Sequence, residues 1–492
     1  MAAMRNAADS SQSFQVGVEW TEKDSMRFVI KMLAAAVAVC LVAVPSGGAY
    51  ADDQPGGKRS HTGVIDGAPY RIEMPERWNG TLVLYSHGYY LKDFLPEKVA
   101  LTVHDTTESW LLRHGYALAA SEYKNRGIGY AVEDAMTDQI ALLNHFQAKI
   151  GKPRRTISYG MSQGAVIAAQ LAERHPHRFA GTAGFCGEVD TPGSWNTALD
   201  IQFVVKTLLA PNAGIDLVRP TDPATAAAHA EALAAAVRDA RGSAAGRARL
   251  ALAGAVGNIP TWFSPFEPEP KKPAERIVAQ SLWVEYAYGY GLGTTGRLDL
   301  EVRAGGNPSW NTGIDYRRQL AKSSRLDLVR EAYGAAGLDL DADLDGLAAA
   351  ERISADPAAV AYTKQHGLVD GTAQSPTLTL HTTGDGGAVN DQVRWWADQV
   401  EQHGNAEFRQ LYLARGGHCS YTAAEEIVSL RTLHRQIETG RWGNLDPSKL
   451  DTVVGKFGPE YQNVLDFGTG ETKAVAPAFT EYTPPVFLRP TR

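Results

Sequence analysis

The sequence predicts an α/β protein: a mostly parallel sheet flanked by helices and interrupted by a large, mainly helical cap insertion. Three observations predict it. Short β-type runs end in glycine-rich turns and lead into helical runs, from Thr156, Pro376 and Phe408 onward. Such alternation marks parallel strands joined by helical crossovers. Side chains able to do chemistry sit at the ends of these runs, where open α/β sheets build their sites. The stretch from Asp190 to Gln374 lacks the alternation and is alanine-rich in its first half, Ala224 to Ala255.

The elements follow in order. Met26-Arg27-Phe28-Val29-Ile30-Lys31 is a short basic segment, and Met32 to Val44 is uninterruptedly apolar. Ala49-Tyr50-Ala51 then offers a small-x-small cleavage site. Residues 1–51 therefore predict a secretory signal peptide cut after Ala51, with a run too short for a good membrane span. Residues 1–25 carry acids unlike a signal's leading segment, and Met26 makes a better start. The reading frame there is expected to be over-extended. Cys40 lies inside the apolar run, which argues against a lipoprotein anchor.

Residues 58–189 predict the first part of the core. Thr81 to Ser86 is a strand ending in His87-Gly88-Tyr89-Tyr90, and Thr156 to Tyr159 is a strand ending in Gly160-Met161-Ser162-Gln163-Gly164. Residues 190–374 predict the cap, with irregular chain around Pro265, Pro268, Pro270 and Pro273. Residues 375–445 predict the second part of the core. There Pro376 to Thr383 ends in Gly384-Asp385-Gly386-Gly387, a helix runs from about Asp391 to Gln402, and Phe408 to Leu413 leads to Gly416-Gly417-His418. Thr422 and Glu425 form a capping-box pattern at the next helix start. Residues 446–492 are a C-terminal extension.

The G-x-S-x-G pentapeptide carries the chemistry. A tight strand-to-helix turn leaves no room for side chains flanking the serine, so glycine stands at both ends. Ser162 is thrust out at the positive end of the helix, but a free hydroxyl is a poor nucleophile and needs a base and an orienting acid. Asp385 and His418 follow in the order serine, acid, histidine, each after its own strand. Taken alone, a glycine-flanked aspartate is a turn residue and a lone histidine a loop residue; the conjunction favours a triad. Asp391 competes for the acid, although a helix start explains it as a cap. The backbone N–H groups of Tyr89 and Gln163 are the expected oxyanion donors. His87 reads as a structural histidine bonded within its turn.

The arrangement from about Ser60 to Val189 and from Pro376 to Trp442 resembles the α/β-hydrolase superfamily, secreted bacterial serine esterases in particular. The matching pieces are Ser86-His87-Gly88-Tyr89, Gly160 to Gly164, Gly384-Asp385 and Gly417-His418. The resemblance implies oxyanion turn, nucleophile elbow, acid loop and histidine loop, in that order. Ala165 and Asn390 depart from the usual glycine and proline. The cap carries no motif that identifies a substrate. Its aromatics Trp283, Tyr286 and Tyr290, spaced by three and four residues, would share one helical face and line an acyl or aryl pocket, or else form the cap's own core. Cys186 and Cys419 remain once the signal is removed; they either pair in an oxidising compartment, holding the histidine loop, or stay as buried thiols.

Composition agrees with a folded enzyme, at 44% hydrophobic and 21% charged residues. A net charge of −7 without a basic stripe argues against nucleic acid as a partner. No cofactor or metal is expected. Asp341-Ala342-Asp343-Leu344-Asp345-Gly346 imitates half a calcium loop, but Arg352 stands where the bidentate glutamate belongs. The expected activity is carboxylic-ester hydrolysis on a small or polymeric substrate, with no membrane span after signal cleavage. A secreted serine aminopeptidase is the enzymatic alternative, and a non-catalytic binding protein on the same fold is the other.

Overall fold

The computed structural model describes residues 59–92, 95–466 and 470–491. The expected signal region, 1–51, lies outside the described residues. Among them, no helix is long and apolar enough to cross a membrane.

The sheet begins with an antiparallel hairpin, β1 (Arg59–Ile65) and β2 (Ala68–Met74), turned by Asp66-Gly67. Then come β3 (Thr81–Ser86), α1 (Asp105–Arg113), β4 (Ala117–Ser121), α2 (Val132–Lys149), β5 (Arg155–Met161), α3 (Gln163–Arg174) and β6 (Gly181–Phe185). Helices follow: α4 (Thr191–Leu209), α5 (Pro223–Ala240), α6 (Ala244–Val256), α7 (Pro273–Trp283), α8 (Thr294–Ala304), α9 (Tyr316–Lys322), α10 (Leu326–Ala336), α11 (Leu340–Ala349) and α12 (Pro357–Gly367). The chain re-enters the sheet with β7 (Thr377–Gly384), α13 (Asp391–Gln402), β8 (Phe408–Gly416) and α14 (Ala423–Thr439). It ends with α15 (Pro447–Val454), a small ribbon of β9 (Asn463–Leu465) and β10 (Thr472–Ala474), and β11 (Phe479–Thr480).

Among the described residues the main sheet runs β1-β2-β4-β3-β5-β6-β7-β8-β11. From β4 to β8 every pairing is parallel. This is the fold class the sequence predicts. The strands are apolar on both faces because helices cover both. Leu82 and Leu84 point into one hydrophobic cluster, with Val166, Ile167 and Phe146, while Val83 and Tyr85 point into the other, with Ile157, Tyr159 and Leu380.

The sheet order places β6 between the serine strand β5 and the acid strand β7, with the histidine strand β8 next. Because these strands are parallel, their carboxyl ends lie along one edge of the sheet. The helices from α4 to α12 follow from that edge after β6, and the chain re-enters the sheet at the amino end of β7. One contact tying them back is Asp299 of α8, which accepts the Tyr130 backbone N–H at 2.6 Å.

Candidate active site

Ser162 stands between β5 and α3 with φ 54° and ψ −124°, a left-handed conformation that a non-glycine residue adopts only under constraint. Its backbone N–H donates to Phe185 O at 2.9 Å, fastening the turn to β6. The motif glycines are required by space. A Cβ on Gly160 would overlap the backbone of Gly164, and one on Gly164 would overlap Ser86 O.

His418 lies two residues past the end of β8. With the ring proton on Nδ1, its imidazole donates to the Asp385 carboxylate, at 3.0 Å from Oδ1 and 2.9 Å from Oδ2. Nε2 then accepts from Ser162 Oγ at 2.9 Å. Asp385 is fully buried, whereas the His418 side chain is 26% exposed. So the carboxylate is shielded from solvent while the imidazole stays partly open to it. Burial would lower the imidazole pKa, but the Asp385 charge and hydrogen bond, with Glu188 adding to them, raise it above 6.5.

Both loops are braced. Asp385 Oδ1 accepts the N–H groups of Gly387 and Ala388, at 2.9 and 3.0 Å. Asn390 donates to Thr383 O at 3.1 Å, closing the acid loop. Below the histidine, Arg415 donates to Glu425 at 2.8 and 3.0 Å, and Glu425 completes the capping box with Thr422. A disulfide joins Cys186, just after β6, to Cys419, just after the histidine. The Cys419 sulfur lies 3.4 Å from His418 Nε2.

The turn after β3 passes over the serine. A Cβ added to Gly88 would lie 3.1 Å from Ser162 Cβ, so this turn runs against the elbow. Gln163 is the first residue of α3, and a first-turn N–H has no acceptor within the helix. His87 is stacked between Tyr90 and Tyr123, and its Nδ1 donates to Gly88 O at 2.7 Å. Burial lowers its pKa to about 4, so it stays neutral and structural. Asp391 is buried at the start of α13 with its pKa raised to about 8, chiefly by desolvation. The imidazole's hydrogen-bonded acid is Asp385, not Asp391.

The expected aromatic wall needs correction. Trp283 ends α7, and the next eight residues, Val284–Gly291, form a π-helix. Its i→i+5 bonding turns successive residues through a smaller angle, so α-helical spacing no longer selects one face. Trp283 and Tyr286 still meet on Phe263, with ring centroids 4.8 and 5.8 Å away. Tyr290 instead turns to α5, donating to Glu231 at 2.5 Å and accepting from Arg238 at 3.2 Å. Tyr288 does reach the acid loop, its hydroxyl donating to Gly386 O at 2.8 Å. Alternating aromatics in Tyr286-Ala287-Tyr288-Gly289-Tyr290 gave no reason to single it out. Glu188 was also missed; it follows Cys186 by two positions and shares the sheet edge with the triad. A cleft of about 970 Å³ lies along the β8 edge, lined by Phe408, Tyr412, Leu450 and Phe479 among others, and contains none of these groups.

This strand order, with a serine, an acid and a histidine at the strand ends, is the α/β-hydrolase fold. No family model matches the chain. It is 28% identical over 417 residues to the o-phthalyl amidase of Xanthobacter agilis, an alignment covering 79% of this chain and 89% of that protein. Solved structures with similarity include the Pyrococcus horikoshii acylaminoacyl peptidase, at 10% identity and a TM-score of 0.37. That match covers 80% of this chain but only 43% of the peptidase. The proline iminopeptidase of Mycobacterium smegmatis gives 12% identity and a TM-score of 0.34, covering 78% of this chain and all of that one (100%). Likeness at this level carries no argument about activity; the fold rests on the strand order.

Proposed function

We propose that the chain is a serine hydrolase that cleaves carboxylic esters, and activated or aryl amides, through an acyl-enzyme. The observation carrying this reading is the hydrogen-bonded line from Ser162 through His418 to Asp385. In that reading Ser162 Oγ attacks the carbonyl carbon as His418 Nε2 takes its proton. Asp385 holds the tautomer and stabilises the imidazolium. The carbonyl oxygen, now negative, is met by the Tyr89 and Gln163 N–H groups. His418 returns the proton to the leaving alcohol or amine, and the carbonyl re-forms as the acyl-enzyme. Water then adds with His418 as base and releases the acid, restoring Ser162.

The amide reading has its own support in the similarity to an o-phthalyl amidase. Amides demand more of the same groups, because a nitrogen leaving group must be protonated before it departs. We propose further that residues 190–374 act as a cap governing which substrate fits, and that residues 1–51 direct export. Recovery of the protein outside the cell with a new N-terminus at Asp52 supports export; retention of the uncut precursor inside overturns it.

The deciding experiment is labelling by a fluorophosphonate probe, together with turnover of p-nitrophenyl esters and aryl amides. Wild type should label and turn over. Folded Ser162→Ala should do neither, with turnover down by roughly 10⁶. A folded alanine variant that keeps a substantial share of turnover overturns the assignment. A wild-type protein that neither labels nor hydrolyses is the binding protein instead.

A further inference from the structure

The triad leaves one acidic group at the same sheet edge without a task. Glu188 follows β6, the strand between those that carry Ser162 and Asp385. The acid position beside His418 is taken by Asp385. Glu188 Oε1 is buried and, among the described residues, has no hydrogen-bond partner. The Thr191 and Ser194 hydroxyls stand beside this carboxyl and lower its pKa, though neither reaches Oε1 at full hydrogen-bond distance. A buried carboxylate oxygen with only two neutral hydroxyls nearby is poorly compensated, so a charged donor would stabilise it.

The backbone around Glu188 is held on both sides. Gly187 N–H donates to His381 Nε2 at 2.9 Å. The N–H groups of Val189 and Asp190 both donate to Gln392 Oε1 at 3.2 Å, and Gln392 donates on to Ser194 Oγ at 2.8 Å. The loop packs against the nucleophile helix, since a Cβ on Gly187 would come within 2.7 Å of Ala165 Cβ. Together with the Cys186–Cys419 bond one residue earlier, these contacts fix where the carboxylate emerges. Preorganisation of this kind suits recognition.

The sign of the partner follows from the surroundings. The charged groups interacting with Glu188 are His418 and Asp190, and Asp385 shares the edge. Their acidic members disfavour an incoming anion and favour a cation. Burial holds the Glu188 carboxyl up near 7, so an arriving positive charge would both ionise it and pair with it. Resting on the acyl-transfer reading above, we propose that Glu188 accepts hydrogen bonds from a protonated amino group on the acyl portion of the substrate. Aminoacyl esters and amides are then preferred over their uncharged counterparts.

The test pairs two esters differing by one group, phenylalanine methyl ester and methyl 3-phenylpropanoate, with fluorophosphonate labelling as a check on the serine machinery. Wild type should favour the amine-bearing ester in kcat/KM. Glu188→Gln should cut that preference by roughly tenfold or more, the range expected for one charge-assisted hydrogen bond. Glu188→Asp should retain part of it. A labelled wild type that shows no preference overturns the proposal, as does a Glu188→Gln variant that loses both esters equally. If Glu188→Gln fails to fold, the wild-type preference decides by its presence or absence. A wild type that neither labels nor hydrolyses either ester overturns the acyl-transfer reading itself.

Discussion

The indole of Trp283 lies against Gly386, the residue after Asp385. A Cβ added to Gly386 would come within 2.5 Å of the ring. Two positions after the aspartate's strand end, Tyr288 also donates to Gly386 O. The cap therefore grips the acid loop through a packing contact and a hydrogen bond.

From that grip follows a separation of effects. Tyr288→Phe keeps the ring and removes one buried hydrogen bond, which should cost about 1 kcal/mol of stability and lower kcat more than it raises KM. Trp283→Ala should cost about 3–5 kcal/mol, so its folding must be verified first. Tyr290→Phe, on the α5 side, should leave the ranking among short-chain, long-chain and aryl esters unchanged. A shift of that ranking by Tyr290→Phe alone would put the pocket on the α5 side. Thermal melts and an ester panel check all three.

The role proposed for Asp385 is tested by pH. Catalysis needs the neutral imidazole, and Asp385 holds the His418 pKa above 6.5 against the effect of burial. Activity should thus be lost as pH falls through that raised value, with the rising limb of kcat/KM centred above 6.5. Asp385→Asn should move the limb downward and cut turnover by roughly 10²–10⁴. An unchanged limb in a folded variant would mean that another group sets the base.

Asp391 should matter for stability instead. Its carboxyl titrates at about 8 in the fold and near 3.8 when unfolded. Between those values the unfolded chain has released a proton that the folded chain still holds. Stability contributed by this group is therefore lost as pH rises, by at most about 1.4 kcal/mol per pH unit. Asp391→Asn removes that slope, so its stability relative to wild type should improve from about pH 4 to pH 8 in denaturant titrations. Parallel curves for the two proteins would show that Asp391 is ionised in the fold.

The disulfide holds the histidine loop to the end of β6 across a sequence separation of 233. Replacing Cys186 and Cys419 with alanine should destabilise the protein by about 2–5 kcal/mol. It should also lower kcat with little change in KM, since His418 is adjacent and loses its tether. Equal losses in kcat and stability-corrected binding would argue for a purely structural bond. Melting curves and steady-state kinetics on esters separate these outcomes.

Much of the site was legible because its signals are local. A serine between two glycines after a β run needs the elbow whatever surrounds it, and the structure puts φ 54° there. The capping box of Thr422 and Glu425 is equally local and is present. Asp385 and His418 were readable from strand ends in a fixed order. Asp391 competed for the acid on sequence terms alone, because the distance to an imidazole on another strand has no local signature.

Local sequence pattern was enough for the strand and helix alternation, the elbow, the order of the three strand-end groups and the extent of the stretch without strands. Each depends on neighbours within a few residues, through backbone sterics and side-chain periodicity. Packing of the strands and helices settled that Cys186 meets Cys419, that Asp385 rather than Asp391 faces His418, and that Glu188 lies at the same edge with only hydroxyls beside it. It also turned Tyr290 away to Arg238 and brought Tyr288 to Gly386, because the chain beyond Trp283 winds as a π-helix. These relations join residues far apart in the chain. Their distances are set by how the strands align and how the helices pack over them, which no single stretch of sequence encodes.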